Sequence, residues 1–412
     1  MSLTRSLFVF RILLALAATC LLAPSAFAEN ATENVAEKVA GLPEVTDAAE
    51  FDGATLAKIP AAMMAEVEAQ RASGIVAMVG HAGRIVHLSA VGKADLETGR
   101  EMKTDALFGI ASMSKPISAT ALMILVEQKK VSLDEPVATY LPEFKNVRLK
   151  SGAAPSGPIT IRHLLTHTSG MGGSQANEGT LAETVTKMAA RPLDFSPGEK
   201  WQYSPAISVC GRVVEVVSGE AFDVFLRKNI FIPLGMHDTS FVPSAAQQER
   251  IAKLYKPGAD KKSLVAATSW ITDLSGERTP NPSGGLFSTA RDLARFYQMV
   301  INGGEYQGHR ILSAESIAEM TKLQTGEIVT GFTPGCGWGL GYIFVREPQG
   351  VTAMLSPGSF GHGGAFGTQG WIDPSRKMFF VLLVQRTDFG NSDGSELRGT
   401  FQQIAIDALK TK

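Results

Sequence analysis

Phe108-Gly109-Ile110-Ala111-Ser112-Met113-Ser114-Lys115-Pro116 is the stretch on which the reading of this chain turns. Apolar residues at helical spacing run from Ser112 to about Lys129, which predicts a helix beginning here. Ser112 and Lys115 are three positions apart, so both side chains share one helix face, about one 5.4 Å turn from each other. A lysine at that distance can take the serine proton, provided desolvation or nearby positive charge keeps its amine neutral. The positive end of the helix dipole disfavours the ammonium and favours the alkoxide. The N–H of Ser112 can also serve as half of an oxyanion hole. Alone, a serine and a lysine at this spacing are weak evidence, and a plain surface helix start would account for them as well.

Two other stretches add weight. Trp201-Gln202-Tyr203-Ser204-Pro205 follows Ser196-Pro197-Gly198-Glu199, with Ser204 placed to cap a helix whose first residue is Pro205. Phe360-Gly361-His362-Gly363-Gly364-Ala365-Phe366-Gly367-Thr368 precedes Trp371-Ile372-Asp373-Pro374, and glycines on a strand let a second backbone or a ligand approach closely. Together the three stretches resemble the penicillin-recognising serine enzymes: class C β-lactamases, D-Ala-D-Ala carboxypeptidases and their esterase relatives, including family VIII esterases. The resemblance covers roughly residues 56 to 410, supported by Ile159 to Gly170 and by Pro282 to Thr289.

The resemblance implies a β-lactamase/transpeptidase-like fold and an acyl-enzyme mechanism with no cofactor and no metal. It makes Ser112 the nucleophile, with Lys115 and Tyr203 sharing the duties of base and acid. It pairs the N–H groups of Ser112 and Ala365 as the oxyanion hole, and puts His362, Gly363 and Gly364 on the substrate-binding strand. His362 would polarise Tyr203 or bind a substrate carboxylate. One position departs from the pattern: Pro205 stands where relatives carry an asparagine that contacts a substrate amide. Proline has neither that amide nor an N–H, which weakens the case for β-lactam or peptide substrates and spares ester cleavage.

Outward from these motifs, Leu56 to Ala72 predicts a helix, and Ile75 to Gly80 with Arg84 to Val91 predicts a hairpin turning at His81-Ala82-Gly83. Helical patterns follow at Ile161 to Leu165, Leu181 to Ala190 and Ile207 to Val217. Another runs from Ala290 to Ile301, capped by Ser288 or Thr289. Strands are predicted at Trp338 to Arg346, Gly367 to Ile372 and Met378 to Gln385, then a last helix from about Glu396 to Leu409. Strands at both ends around a helical middle imply an α+β architecture: one antiparallel sheet assembled from both termini, with helices against it. The sheet part is expected over about 55–111 and 285–412, the helical part over about 112–284, and a cleft between them.

The chain has 412 residues, 44% of them hydrophobic and 19% charged, enough to bury a large core. Its 39 Lys plus Arg nearly balance 40 Asp plus Glu, so no long-range field gathers nucleic acid. The expected partner is a small ester or amide substrate. Residues 1–28 read as a signal peptide: Arg5, an apolar run from Ile12 to Leu22, and Ala26-Phe27-Ala28 as the cleavage site. The run is shorter than the roughly 20 residues of a membrane span, so the protein is expected to be exported, periplasmic or secreted, without a stable span. Residues 29–54 read as a flexible leader and 55–412 as the enzyme domain.

Cys210 and Cys336 can form one bridge in such a compartment, but their settings favour two separate buried thiols. His163 and His167, four apart, lack the glutamate and third ligand of a zinc site. Missing too is a G-x-S-x-G turn, which argues against the α/β-hydrolase fold. Ester hydrolysis is the leading reading, and β-lactamase or D-peptidase activity the second. A silent peptidoglycan-binding or peptide-binding protein is the alternative of another class. The oligomeric state stays open.

Overall fold

The computed structural model describes residues 39–410 except 46, 174–178, 332 and 390–393. The segment read as a signal peptide, and residues 29–38 behind it, lie outside the described residues.

Five helices and eight strands position the site. They are the helices α1 (Lys58–Glu68), α2 (Ser114–Glu127), α3 (Ile207–Ser218), α4 (Ala290–Ile301) and α5 (Glu396–Asp407). The strands are β1 (Gly74–His81), β2 (Arg84–Asp95), β3 (Arg100–Glu101), β4 (Cys336–Trp338), β5 (Ile343–Val345), β6 (Phe360–Gly363), β7 (Gln369–Asp373) and β8 (Met378–Val384). These strands form one eight-stranded sheet in the order β4-β5-β6-β7-β8-β1-β2-β3, every pair antiparallel. The two chain ends meet at its centre, where β1 pairs with β8 from Ile75↔Val384 to His81↔Met378.

Period-two alternation sends each central strand to two cores. Phe379, Val381 and Leu383 of β8 join Val76 and Met78 in the core shared with α2, α3 and α4. Met378, Phe380, Leu382 and Val384 join Ile75, Ala77 and Val79 in the core under α1 and α5. A strand covered on both faces reads as an unbroken apolar run, which is why β8 is Met-Phe-Phe-Val-Leu-Leu-Val.

Four local expectations are corrected. The helix expected over Leu56 to Ala72 is two, Gly53–Leu56 and Lys58–Glu68. Pro60 lacks the N–H that would bond the Leu56 carbonyl, so the first helix cannot run on. The strand expected over Trp338 to Arg346 is the hairpin β4-β5, folded back where Gly341 takes a φ of 80°. Pro205 precedes α3 instead of opening it; Ser204 Oγ accepts the N–H of Ala206 at 3.4 Å and the helix begins at Ile207. Residues 39–54, expected as leader, are docked where they are described. Leu42, Ala48 and Phe51 are buried, and Val45 donates to the Ile85 carbonyl at 2.9 Å. Val39 and Val45 pack partly buried against the same cores. Thr289 caps α4 as expected, accepting from Asp292 N–H at 3.3 Å. Cys210 and Cys336 are both buried and are not bonded to each other. Among the described residues, no helix is long and apolar enough to cross a membrane.

Candidate active site

The nucleophile segment does not enter its helix directly. Ala111–Met113 is a 3₁₀ turn, and the α-helix proper starts at Ser114. Ala111 takes a φ of 46°, a left-handed conformation that costs a non-glycine residue about 1–3 kcal/mol and is kept only where the surroundings enforce it. Here they do. Ile110 N–H donates to the Leu286 carbonyl at 2.9 Å, and Gln385 Nε2 donates to the Gly109 carbonyl at 2.9 Å. Ser114 Oγ donates to the Ala111 carbonyl at 2.7 Å. A two-residue ladder, Phe108–Gly109 with Phe287–Ser288, ties the same backbone to the segment after Pro282.

Around Ser112 the predicted group assembles. Lys115 Nζ donates to Ser112 Oγ at 2.9 Å, and Tyr203 O–H donates to the same oxygen at 2.7 Å. Lys115 is 2% exposed; its Nζ also donates to the Ser283 carbonyl at 2.7 Å and lies 4.7 Å from the Tyr203 ring centre. Two donors converging on one hydroxyl oxygen are what a serine alkoxide needs. The Ser283 carbonyl fixes the amine in that position. Nothing in the order of residues around Ser283 signals that its carbonyl faces Lys115.

Tyr203 is held by His167, which belongs to the stretch over residues 159–170 and is one of the two histidines weighed above as a metal pair. His167, fully buried with a φ of 58°, accepts Gln202 N–H on its carbonyl at 2.9 Å and Ser204 N–H on its Nδ1 at 3.2 Å. Its ring lies tilted on Tyr203 with centres 4.6 Å apart, and meets Trp338 edge-on at 4.9 Å. Burial and the Lys115 charge push its pKa well below the ordinary range, so the ring is neutral. His163 is engaged elsewhere, its Nδ1 accepting Thr160 N–H at 3.2 Å.

On the third side, the turn after β6 packs on the nucleophile backbone. Gly364 N–H donates to the Thr368 carbonyl at 2.7 Å and Gly367 N–H to the Gly364 carbonyl at 3.0 Å, so the bonds closing this turn do not use the Ala365 N–H. A Cβ on Gly364 would stand 2.4 Å from the Ile110 carbonyl oxygen and 3.2 Å from Ala111 Cβ; glycine is what lets the two backbones meet. Ala365 and Ser112 line one cavity of about 300 Å³, together with Lys115, Tyr203, Pro205 and Trp270.

The substrate-binding expectation for His362, Gly363 and Gly364 is corrected. All three are buried behind the cavity wall, and the residues that face it there are Ala365 and Phe366. His362 is 1% exposed and its Nδ1 is paired with the Gly363 carbonyl at 2.7 Å. Burial, helped by the Lys115 charge, lowers its pKa to about 3. A neutral, enclosed ring cannot pair with a substrate carboxylate. It packs on Tyr203 and Trp338, with ring centres 6.0 and 5.7 Å away, as part of the aromatic wall behind the phenol.

This sheet, this serine with its lysine and tyrosine, and a family model described as Beta-lactamase that matches residues 56–403 agree. The chain belongs to the β-lactamase family. Within the β-lactamase family, it is 32% identical to Esterase EstB of Burkholderia gladioli over 380 residues, which covers 83% of this chain and 93% of that protein. It is 33% identical to Penicillin-binding protein 4 of Amycolatopsis lactamdurans over 293 residues, covering 69% of this chain and 72% of that protein. Among solved structures, EstCE1, a hydrolase with promiscuous acyltransferase activity, superposes with a TM-score of 0.74 at 25% identity, over 87% of this chain and 99% of that one. The protein is a serine hydrolase of the β-lactamase family.

Proposed function

We propose that this β-lactamase-family hydrolase cleaves carboxylic esters of uncharged acids through an acyl-enzyme on Ser112, and that it does so outside the cytoplasm. One observation carries the substrate reading. Among the described residues lining the cavity, Lys115 is the sole charged side chain, and its amine is already engaged by Ser112 and Ser283. Arg191 Nη1 lies 3.1 Å from where a Cβ on the lining residue Gly173 would be, and Arg191 is not itself among the lining residues. β-Lactams and D-alanyl peptides carry a carboxylate that has to be paired when it is desolvated, whereas a simple ester brings no such charge. Pro205 in the cavity wall adds to this, because it offers no amide to a substrate peptide group.

In the proposed reaction, Ser112 Oγ loses its proton to the Lys115 and Tyr203 pair and bonds to the ester carbonyl carbon. The oxyanion that forms is received by the N–H groups of Ser112 and Ala365. The C–O bond to the alcohol then breaks, and the alcohol leaves with a proton handed over by Tyr203. Water, activated by the same pair, attacks the acyl-Ser112 ester and releases the acid. Export rests on the signal-peptide pattern of residues 1–28, and N-terminal sequencing of the mature protein should begin at Glu29.

The test is a side-by-side assay of p-nitrophenyl esters, cephalosporins and D-amino-acid peptides, with Ser112→Ala as control. The proposal expects fast ester turnover that the control abolishes, and a fluorophosphonate adduct on Ser112 by mass spectrometry. A higher kcat/KM on cephalosporins or D-peptides would overturn it in favour of an amide hydrolase. An unlabelled Ser112 with no turnover would favour a binding protein.

A further inference from the structure

We infer that Trp270 is the specificity-determining residue for the acyl chain, so that the cavity takes esters of apolar carboxylic acids and discriminates among them by chain length. The inference rests on the ester reading above and adds the half of the substrate that reading leaves open.

Trp270 is a large apolar side chain that stays 47% exposed, and it does so at the mouth of the catalytic cavity. Its Cη2 lies 3.7 Å from the place where a Cβ on Gly284 would be, and that place is 3.5 Å from the Ala111 carbonyl carbon. The indole edge therefore borders Gly284, which in turn packs beside the backbone that carries Ser112. Its neighbour Ile271 is 3% exposed and belongs to a small separate core with Ala111, Phe287 and Phe366. One residue of the pair is anchored under the nucleophile, and the other is held out over the opening.

The loop that holds the ring is fastened, not slack. Asp273 N–H donates to the Ser269 carbonyl at 2.8 Å, and Ser269 N–H to Thr272 Oγ1 at 3.0 Å. Arg278 binds the loop from behind: Nη1 donates to the carbonyls of Ile271 at 2.9 Å, Asp273 at 2.7 Å and Trp270 at 3.3 Å, and Nε to that of Phe241 at 3.0 Å. Its guanidinium lies 5.5 Å over the Phe287 ring. All these hydrogen bonds go to backbone carbonyls, so Arg278 is a positioning residue for the loop and presents no charge to a substrate.

A half-exposed indole held rigidly keeps apolar surface in contact with water until something apolar covers it. The alcohol half of an ester has to reach the Tyr203 hydroxyl to collect its proton. The side bordered by Trp270, Ile271 and Phe366, next to Ala111 and Ala365, is then left to the acyl chain. Contact grows with each methylene laid against the ring and stops when the chain passes its edge.

The experiment compares wild type with Trp270→Ala, Trp270→Phe and Arg278→Lys on p-nitrophenyl acetate, butyrate, hexanoate and octanoate, and on acetates of different alcohols. Expected for Trp270→Ala is a loss of about tenfold in kcat/KM on butyrate and hexanoate, with acetate changed by no more than about twofold. Trp270→Phe should recover most of the loss, and Arg278→Lys should flatten the chain-length preference while Ser112 still labels. A uniform change along the acyl series, or one that follows the alcohol instead, overturns the assignment while the ester reading stands. If wild type shows no ester turnover that depends on Ser112, the ester reading falls and this inference falls with it.

Discussion

Gly364→Ala tests how the oxyanion hole is built, because it adds one methyl group where two backbones touch. The new Cβ would stand 2.4 Å from the Ile110 carbonyl oxygen and 2.2 Å from Thr368 Oγ1. Thr368 Oγ1 is a side-chain atom, but it donates to that same Ile110 carbonyl at 3.2 Å, so turning it away breaks the strap between the two segments. The carbonyl cannot retreat easily either, since Ile110 N–H is bonded to Leu286 and Ala111 already sits at a φ of 46°. To bring the contact from 2.4 Å to an ordinary van der Waals distance near 3.4 Å, the β6 turn and the nucleophile turn have to part by about 1 Å. Ala365 moves with the turn, and its N–H leaves the place where the proposed mechanism forms the oxyanion. Loss of one such donor costs about 2.7–4 kcal/mol, or a factor of about 10²–10³ in kcat. KM should change little, because the ground-state carbonyl is bound weakly by the same group. Steady-state kinetics on a p-nitrophenyl ester, with a thermal melt to confirm folding, make the comparison. A folded Gly364→Ala protein with wild-type kcat would refute the reasoning, since it would mean that this turn does not place a donor at the reacting carbonyl.

Further outcomes follow from the same geometry. Lys115→Met should lower kcat by about 10²–10⁴, the usual range for a positioned acid or base, and Tyr203→Phe by a factor in the same range, both read in the ester assay. The Tyr203 loss should shrink for esters of better leaving alcohols, which need less help from an acid. Acid should destabilise the fold through its buried imidazoles. With the His362 pKa lowered from 6.5 to about 3, the unfolded chain takes up a proton below pH 6.5 that the folded chain refuses. This contribution to stability is complete above pH 6.5 and shrinks as pH falls, by about 2 kcal/mol on reaching roughly pH 5. Urea titrations at several pH values should show that loss in wild type and a shallower slope in His362→Gln; equal slopes would contradict it.

The Ser112–Lys115 pair was readable in the chain because its two members lie one helical turn apart. Backbone geometry alone puts Ser112 and Lys115 on one face, and the glycine-rich run around His362 signals close backbone approach. Strand alternation and apolar runs at both termini likewise made the antiparallel sheet legible. His362 was misread because sequence does not carry depth: a histidine beside glycines can face a cavity or be sealed behind it, and burial at 1% exposure decided for the wall. His167 drew attention for its spacing from His163, yet its role depends on Ser204 and Tyr203, some 40 residues on.

The sequence by itself determined the chemical types and their local order: a serine with an amine one helical turn away, a phenol just before a helix, and a proline, Pro205, that brings no side-chain amide. Tertiary structure alone decided what those groups meet. The Ser283 carbonyl on the Lys115 amine, the His167 clamp on the Tyr203 segment, the strained Ala111 and the Trp270 ring at the cavity mouth are contacts between segments far apart in the chain. Hydrogen bonds and packing of that kind depend on atomic distances set when the two halves of the sheet close on each other, and no local pattern of residues encodes them.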